Sequence, residues 1–477
     1  MARLDRLAPV REIAQMGAVL GREFSYELLH ALSPLDEDRL QQGLGQLVET
    51  ELVYQRGTPP QATYTFKHAL IQDTAYQSLL KSRRQQLHQQ IAHVLEEQFA
   101  ESKETQPELL AHHYIEANLI EQAIPYWQKA GQRAAQRSAN AEAESHLQTA
   151  LRLLATLPDT LERAQQELSL QLALGPVMMA SKSIGATEVE KTYLRARELC
   201  RQIGDTPQLF PVIWGLRRFY SLRANHKTAW ELEETLLRLA QSAQSPDLLM
   251  EAQLARGFTS FWLGEMVEAR ERFTQSLELY DPQQHREHAF LYGSDPGVAG
   301  RSYLALTLSH LGYPDQAVQE LNKTLALAQE IRHPFSVVYA SSVSGWVQYL
   351  CRDVRLAQAH IEKAIRLATE REFPFWVAWG SIIRGWALAL QGQGEEGITQ
   401  LCQGITDHRN LGAEIGLTWF LAMLIDSYRV KSLNGEGLQV LTEALSMAET
   451  RSEHAYEAEL YRLKGELLLA QARKLRE

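Results

Sequence analysis

Residues 301–340 read RSYLALTLSHLGYPDQAVQELNKTLALAQEIRHPFSVVYA, and their pattern returns every 40 residues until residue 470. Ala305, Gly345, Gly385, Ile425 and Gly465 mark one position of the repeat. Twelve residues after each of the first four stands another small residue: Ala317, Ala357, Gly397 and Gly437. Large aliphatics follow at two further steps of four, first Leu321, Ile361, Leu401 and Leu441, then Leu325, Ile365, Ile405 and Leu445. Between the small positions lie short polar or glycine-bearing stretches such as Leu311-Gly-Tyr-Pro-Asp and Gln391-Gly-Gln-Gly-Glu. The pattern predicts two antiparallel helices per unit, with small residues where the pair crosses and aliphatics sealing it to its neighbours. Spacings of 12, 4 and 4 resemble the tetratricopeptide pattern, lengthened from its usual 34 or so residues. The turns are expected near Gly312, Arg352, Gly392 and Ser432.

Composition narrows the chemistry. Hydrophobic residues make up 45% of the 477 and charged residues 22%, the balance of a folded globular chain. A net charge of −10 disfavours a nucleic-acid partner, because neutralising phosphates takes a surplus of Lys and Arg. Cys200, Cys351 and Cys402 form no CxxC, which argues against a cysteine metal site and for a reducing cytoplasm. No apolar run approaches the ~18 residues of a membrane span, and the N-terminus lacks a signal peptide's apolar core.

Ahead of the repeats the period changes. Residues 8–50 read as three short helices, the second from Phe24 to Leu32 and the third capped by Asp36 or Asp38. Leu52–Arg56 and Ala62–Phe66 alternate like strands joined by the Gly57-Thr-Pro-Pro turn. Three helices followed by a hairpin suggest a winged helix, with further helices near 68–80 and 83–98. Such a module invites a DNA-binding reading, but residues 1–100 carry 10 Lys and Arg against 12 Asp and Glu. The third helix opens Asp36-Glu-Asp and offers only Arg39 to a phosphate. The expected architecture is mostly α: a winged-helix module with its following helices over 1–100, less regular helical repeats over 101–205, and a right-handed tetratricopeptide-like α-solenoid over 206–477. The helix pair at 248–280 holds the register through Gly257, Ala269 and Phe273. From Ala269 to Ala317 the step is 48, which leaves a loop over Asp281–Gly297 between repeats. Gly465 repeats the first-helix position with no second helix behind it, so the last unit is expected to be incomplete.

Two stretches of the N-terminal region, Gly17-Ala-Val-Leu-Gly-Arg-Glu-Phe-Ser-Tyr-Glu-Leu-Leu and Phe66-Lys-His-Ala-Leu-Ile-Gln-Asp-Thr-Ala-Tyr, carry a resemblance. Three in the repeats carry it too: Tyr280-Asp-Pro-Gln-Gln-His, Leu311-Gly-Tyr-Pro-Asp-Gln-Ala and Tyr461-Arg-Leu-Lys-Gly-Glu-Leu-Leu-Leu. The chain resembles the C-terminal half of bacterial STAND or AAA-type signalling ATPases, many fused to an adenylate or guanylate cyclase. The resemblance implies a non-catalytic sensor and scaffold. Its winged helix would dock on an ATPase domain, in cis or in trans, and its repeats would bind a protein, a peptide or a small effector. No G-x-x-x-x-G-K-[ST] occurs here, so the phosphate-cradling loop of that family is absent and the chain is not expected to be an enzyme. Purified, it should hydrolyse no ATP, and steady turnover that survives removal of contaminating ATPases would contradict that expectation. The alternative is a DNA-binding regulator of the repeat-bearing STAND type.

Few residues invite a chemical role. His68 follows the second wing strand, where the resemblance implies a histidine that reaches a bound nucleotide's phosphates. His285 and His288 with Glu287 lie in the inserted loop, where exposure is the ordinary state and a metal site would need a third ligand. No catalytic residue, metal site or cofactor is expected. The stronger signal is aromatic. First-helix positions, which line the groove of tetratricopeptide repeats, hold Phe258, Phe261, Trp262, Tyr339, Trp346, Tyr349, Trp379, Trp386 and Trp419. Trp346 and Trp386 stand 40 apart and face alike. These rings either line a partner-binding groove or pack inside the superhelix.

Overall fold

The computed structural model describes residues 8–204 and 206–474, and among them it holds 25 helices and three short strands. The chain divides into two compact units, Met1–Arg133 with Ser145–Asp159, and Ala134–Glu144 with Thr160–Glu477.

The first unit opens with α1 (Ala8–Leu20), β1 (Glu23–Ser25), α2 (Tyr26–Leu32) and α3 (Glu37–Glu49). The hairpin β2 (Val53–Arg56) and β3 (Thr63–Phe66) follows at the place the alternation predicts. One element differs from the sequence reading. Phe24 and Ser25 are not the start of the second helix but belong, with Glu23, to a strand paired antiparallel with β3, so the sheet order is β1-β3-β2. The reason is local. The Ser25 hydroxyl accepts the Leu28 N–H at 3.2 Å and so opens α2 at Tyr26, two residues after the expected start. Phe24, left in extended backbone, stacks on Tyr64 at 5.7 Å between ring centres and fills the core. Asp36 is the cap of α3, accepting the Arg39 N–H at 2.9 Å, and the exposed first turn presents Asp36, Glu37 and Asp38 to solvent.

Helices α4 (Ala69–Gln77), α5 (Lys81–Gln98), α6 (Ala100–Thr105), α7 (Pro107–Glu116), α8 (Ile120–Gln136) and α9 (Asn140–Leu154) come next. Between α5 and α7 two imidazoles meet in the core, His88 Nδ1 and His113 Nδ1 at 2.8 Å, with the Tyr76 hydroxyl 3.1 Å from His88 Nε2.

The second unit is a stack of helix pairs: α10 (Leu161–Ser181) with α11 (Thr187–Ile203), α12 (Leu209–Leu222) with α13 (His226–Ser242), and α14 (Pro246–Trp262) with α15 (Met266–Glu278). After the short α16 (His288–Leu291) come α17 (Pro296–His310) with α18 (Pro314–Ile331), and α19 (Pro334–Leu350) with α20 (Val354–Glu370). The stack ends with α21 (Pro374–Leu390) and α22 (Gly394–Asn410), α23 (Leu417–Val430) and α24 (Asn434–Arg451), and α25 (Glu457–Lys474). A left-handed residue breaks the helix at 204, 224, 244 and 264, and again at 312, 332, 352, 372, 392, 412, 432 and 452. The chain therefore reverses every 20 residues, and Gly312, Arg352, Gly392 and Ser432 all fall in turns as expected. Proline at the first position of α14, α17, α19 and α21 restarts the helix, since its fixed φ suits that position and its missing N–H is not needed there.

Small residues sit where the pairs cross most closely. A Cβ built on Gly385 would lie 2.7 Å from both the Gly397 carbonyl oxygen and the Leu401 nitrogen, which are backbone atoms of α22. Gly345 differs: its Cβ would meet the Ile361 side chain at 2.4 Å, which can turn aside. Gly385→Leu should therefore cost toward the upper end of about 1–3 kcal/mol, because two helix backbones must separate. Gly465, at the same register position, has nothing within 4 Å of such a Cβ. Gly465→Leu is the matched control and should leave the urea midpoint almost unmoved. Equal losses from both variants would show that the crossing at Gly385 is looser than these distances.

The inserted segment is not the exposed loop its composition suggests. His285 is only 2% exposed, with Nδ1 accepting the Asp281 N–H at 2.9 Å, and His288 Nδ1 lies 2.9 Å from Glu251 Oε1. Tyr280, stacked on His285, donates its hydroxyl to the buried Asp295 carboxylate at 3.0 Å, which fixes the segment against α14 and α17.

Candidate ligand cavity in the helical repeats

First helices of the pairs are the more apolar ones, so they turn inward and the amphipathic second helices cover them. The array is coiled tightly enough for its later turns to meet its earlier ones. The Glu414 and Ile415 N–H groups donate to the Leu222 carbonyl at 2.8 and 3.0 Å, and the His454 N–H donates to the Trp262 carbonyl at 3.1 Å. Those carbonyls end α12 and α14 and would otherwise lack partners. Arg223 Nη1 donates to the Gly412 carbonyl at 3.2 Å, and Gly185 and Gly412 approach so closely that a Cβ on either would strike the other's backbone. Glu453, fully buried, locks the turn from within by accepting the Gly416 N–H at 2.9 Å and the Thr418 hydroxyl at 2.8 Å. Burial pushes its pKa up to about 7.

Inside this coil the aromatic rings gather. Trp346 stacks on Trp419 at 4.0 Å between centroids, with Trp379 at 5.3 Å and Trp262 at 5.7 Å. Its indole Nε1 donates to the Tyr456 hydroxyl. Trp386 donates to Asp426 Oδ2 at 3.1 Å and meets Tyr349 edge-on at 4.8 Å. Asp426 is also held by Arg352 at 2.7 Å and Arg429 at 2.8 Å.

The cluster does not fill the coil. A cavity of about 90 Å³ remains, bounded by first-helix residues of α12, α14, α17, α19 and α21 with Ile184 and Ile415 at the junctions. Phe258, Trp262, Tyr339, Trp346 and Trp379 are among its walls. So are Arg217 and Arg218, adjacent cations in an otherwise apolar helix. Arg217 is neutralised by Glu233 at 2.7 Å, and that carboxylate also accepts the Thr259 hydroxyl. Arg218 rests over the Trp214 ring, 5.0 Å from its centre, and donates Nη1 to the Tyr292 carbonyl at 2.5 Å.

No protein-family model matches the sequence. An uncharacterized protein of Rhizobium meliloti (strain 1021) is 25% identical over 344 residues, 71% of this chain. The chain spans 33% of that relative's length. Among solved structures, a Signal Transduction ATPase with Numerous Domains (STAND) protein with a tetratricopeptide repeat sensor, from Pyrococcus horikoshii, superposes with a TM-score of 0.51 at 11% identity. The match covers 96% of this chain and 65% of that one. A Rap protein complexed with competence and sporulation factor matches at a TM-score of 0.46 and 12% identity, over 73% of this chain and 99% of that one. The likeness to the Pyrococcus horikoshii structure shows the fold: a solenoid of tetratricopeptide-like repeats.

The positions singled out from the sequence separate into two sets. Phe258, Trp262, Tyr339, Trp346 and Trp379 surround the cavity, whereas Phe261, Tyr349, Trp386 and Trp419 pack behind it. Phe258 is half-buried and the other eight are buried, so the rings make no continuous strip on the outer surface. Tyr303, Phe375 and Trp376 complete the wall and escaped the sequence reading. So did the two arginines, although a charged pair inside Leu209–Leu222 was a visible signal. His68 stands exposed at the N-cap of α4, with no side-chain bond to the helix end. Among the described residues no group of three or more His, Cys, Asp or Glu is placed to hold a metal ion, and no helix is long and apolar enough to cross a membrane.

Proposed function

We propose that this chain is the sensor part of a signalling ATPase of the STAND type, non-catalytic itself, which binds an effector inside its helical repeats. The observation that carries the reading is the cavity within the coil, walled by five successive first helices, four of which supply aromatics. Binding there would couple turns of the array far apart in sequence, since α12, α14, α19 and α21 share one wall. A ligand that contacts all of them favours the closed coil over any looser one, and such a bias is what a sensor transmits. The superposition on a STAND protein with a repeat sensor supports the reading, as does the short share of the Rhizobium relative that this chain spans.

The three-helix and hairpin module of the first unit serves in this proposal as a winged helix that docks on an ATPase domain, with His68 reaching toward the nucleotide. Its exposure and its lack of a capping bond leave the side chain available for that role. The carboxylates on the first turn of α3 disfavour a phosphate backbone as the docking partner. Association with a cyclase domain belongs to the same proposal and rests on the resemblance alone.

A thermal-shift screen of small metabolites tests the effector site. Compounds that raise the melting temperature of the native chain should leave Ser221→Leu unmoved, because the larger side chain occupies the cavity that Ser221 borders. A stabiliser that acts equally on both proteins binds elsewhere and counts against the cavity.

A further inference from the structure

The chemistry of the cavity wall is one-sided. It holds two guanidinium groups and no carboxylate. Arg217 has its counter-charge in Glu233, but no carboxylate among the described residues lies within ion-pairing distance of Arg218. The acid whose field reaches Arg218, Glu251, is occupied by His288. Arg218 spends one nitrogen on a carbonyl and keeps part of its surface accessible, so the remaining N–H groups of a planar five-donor fork are free for an acceptor. Burial lowers its pKa to about 10, which still leaves it charged at neutral pH.

The rest of the wall is apolar: Trp376 and Trp379 border the cavity, but the indole N–H of each is sealed in the packing and offers a ligand no donor. A wall with an unpaired cation and large apolar rings is complementary to an anion with an apolar remainder. A carboxylate presents two oxygens in the geometry that a guanidinium fork matches.

We propose that the cavity is a receptor site for a small monocarboxylate, its carboxylate held by Arg218 and its apolar stub set against Trp346, Trp376 and Trp379. The proposal rests on the reading of the cavity as the effector site and adds the chemical class of the effector. The volume limits the size: a cavity of about 150 Å³ accommodates benzene with its six heavy atoms, so about 90 Å³ holds roughly four, the carboxylate and its first carbon, and a short chain beyond them would extend through the pocket's open side. A dicarboxylate would bring a second charge to a wall with no second free cation. An ammonium ligand would place like charge beside Arg218.

Isothermal titration of the whole chain with butyrate, butyramide and butylamine tests this, with tryptophan fluorescence as the second readout because four tryptophans line the site. Butyrate should bind saturably, and the amide and amine at least tenfold more weakly. Arg218→Met, close in length and apolar, should weaken butyrate at least tenfold with melting preserved. Arg218→Lys keeps the charge, loses the fork and should fall between. Equal binding of butyrate and butyramide would overturn the carboxylate assignment and leave the cavity as an effector site. Binding of none of the three would also overturn it. In that case a stabiliser found by screening and blocked by Ser221→Leu would still uphold the cavity, whereas its absence would remove both readings.

Discussion

Lowering the pH from 7 to 4 should unfold the first unit while the repeats still hold. His88 and His113 are buried against each other, and burial depresses their pKa values from 6.5 to about 4 and about 3. A base whose folded pKa lies below its unfolded value contributes stability that is complete above 6.5 and is lost as the pH falls through the folded pKa. Here the unfolded chain takes up protons that the folded pair refuses, because two adjacent imidazolium charges would be kept from water and Glu116, which favours a charged His88, offsets only part of that burial. One pKa unit corresponds to about 1.4 kcal/mol, so the pair accounts for on the order of 5 kcal/mol across that window. That is comparable with the whole stability of a small unit.

The second unit responds less, because opposite groups offset each other. His226, His310, His333 and His408 are depressed to about 4 by burial and destabilise it in acid. Against them, burial raises Asp295 to about 6 and Glu453 to about 7, and raises Glu233 and Glu251 as well. Their stabilising contribution is fully present at acid pH and is lost as the pH rises through those values, so it grows as the histidines' contribution fades. Calorimetry between pH 7.5 and 4 should therefore resolve a transition that moves down alone. His88→Leu/His113→Leu should flatten its pH dependence. Two transitions that move together, or a moving transition indifferent to the double substitution, would contradict the assignment.

Trp346→Ala should cost about 3–5 kcal/mol in urea unfolding. The ring is fully buried, stacks on Trp419, touches Trp262 and Trp379, and donates its N–H to Tyr456. These partners come from α14, α21, α23 and the turn before α25, so truncation opens a void where the coil's turns converge, and no single helix can shift to close it. Tyr456 also loses its indole donor. Trp386→Ala should cost a similar amount and should disturb the Asp426 junction with Arg352 and Arg429. Unchanged midpoints in both variants would place these rings in a solvated groove instead of a core. Loss of ligand binding from Trp346→Ala alone would be ambiguous, which is why Ser221→Leu, with its fold intact, is the cleaner probe of the cavity.

Local rules carried the architecture. The steps of 12, 4 and 4 between small and aliphatic residues gave the helix pairs, and the residues at 312, 352, 392 and 432 gave the turns, because helix crossing and helix termination depend on side chains a few positions apart. The hairpin was legible for the same reason. The strand at Glu23–Ser25 was not, since a three-residue strand exists only through its partner β3, which lies 40 residues on. The sequence placed the first-helix aromatics at matching positions, but which of them border a cavity and which pack behind it depended on how far each pair rotates from the last. That small angle, summed over the array, brings Gly412 to Gly185 and His454 to Trp262, and turns a prospective open groove into a partly enclosed pocket. No periodicity encodes such a sum. Arg218 shows the same division. The sequence by itself placed a cation in an apolar helix, while only the tertiary structure decided that its neighbour takes the buried glutamate and that its own charge faces the cavity unpaired.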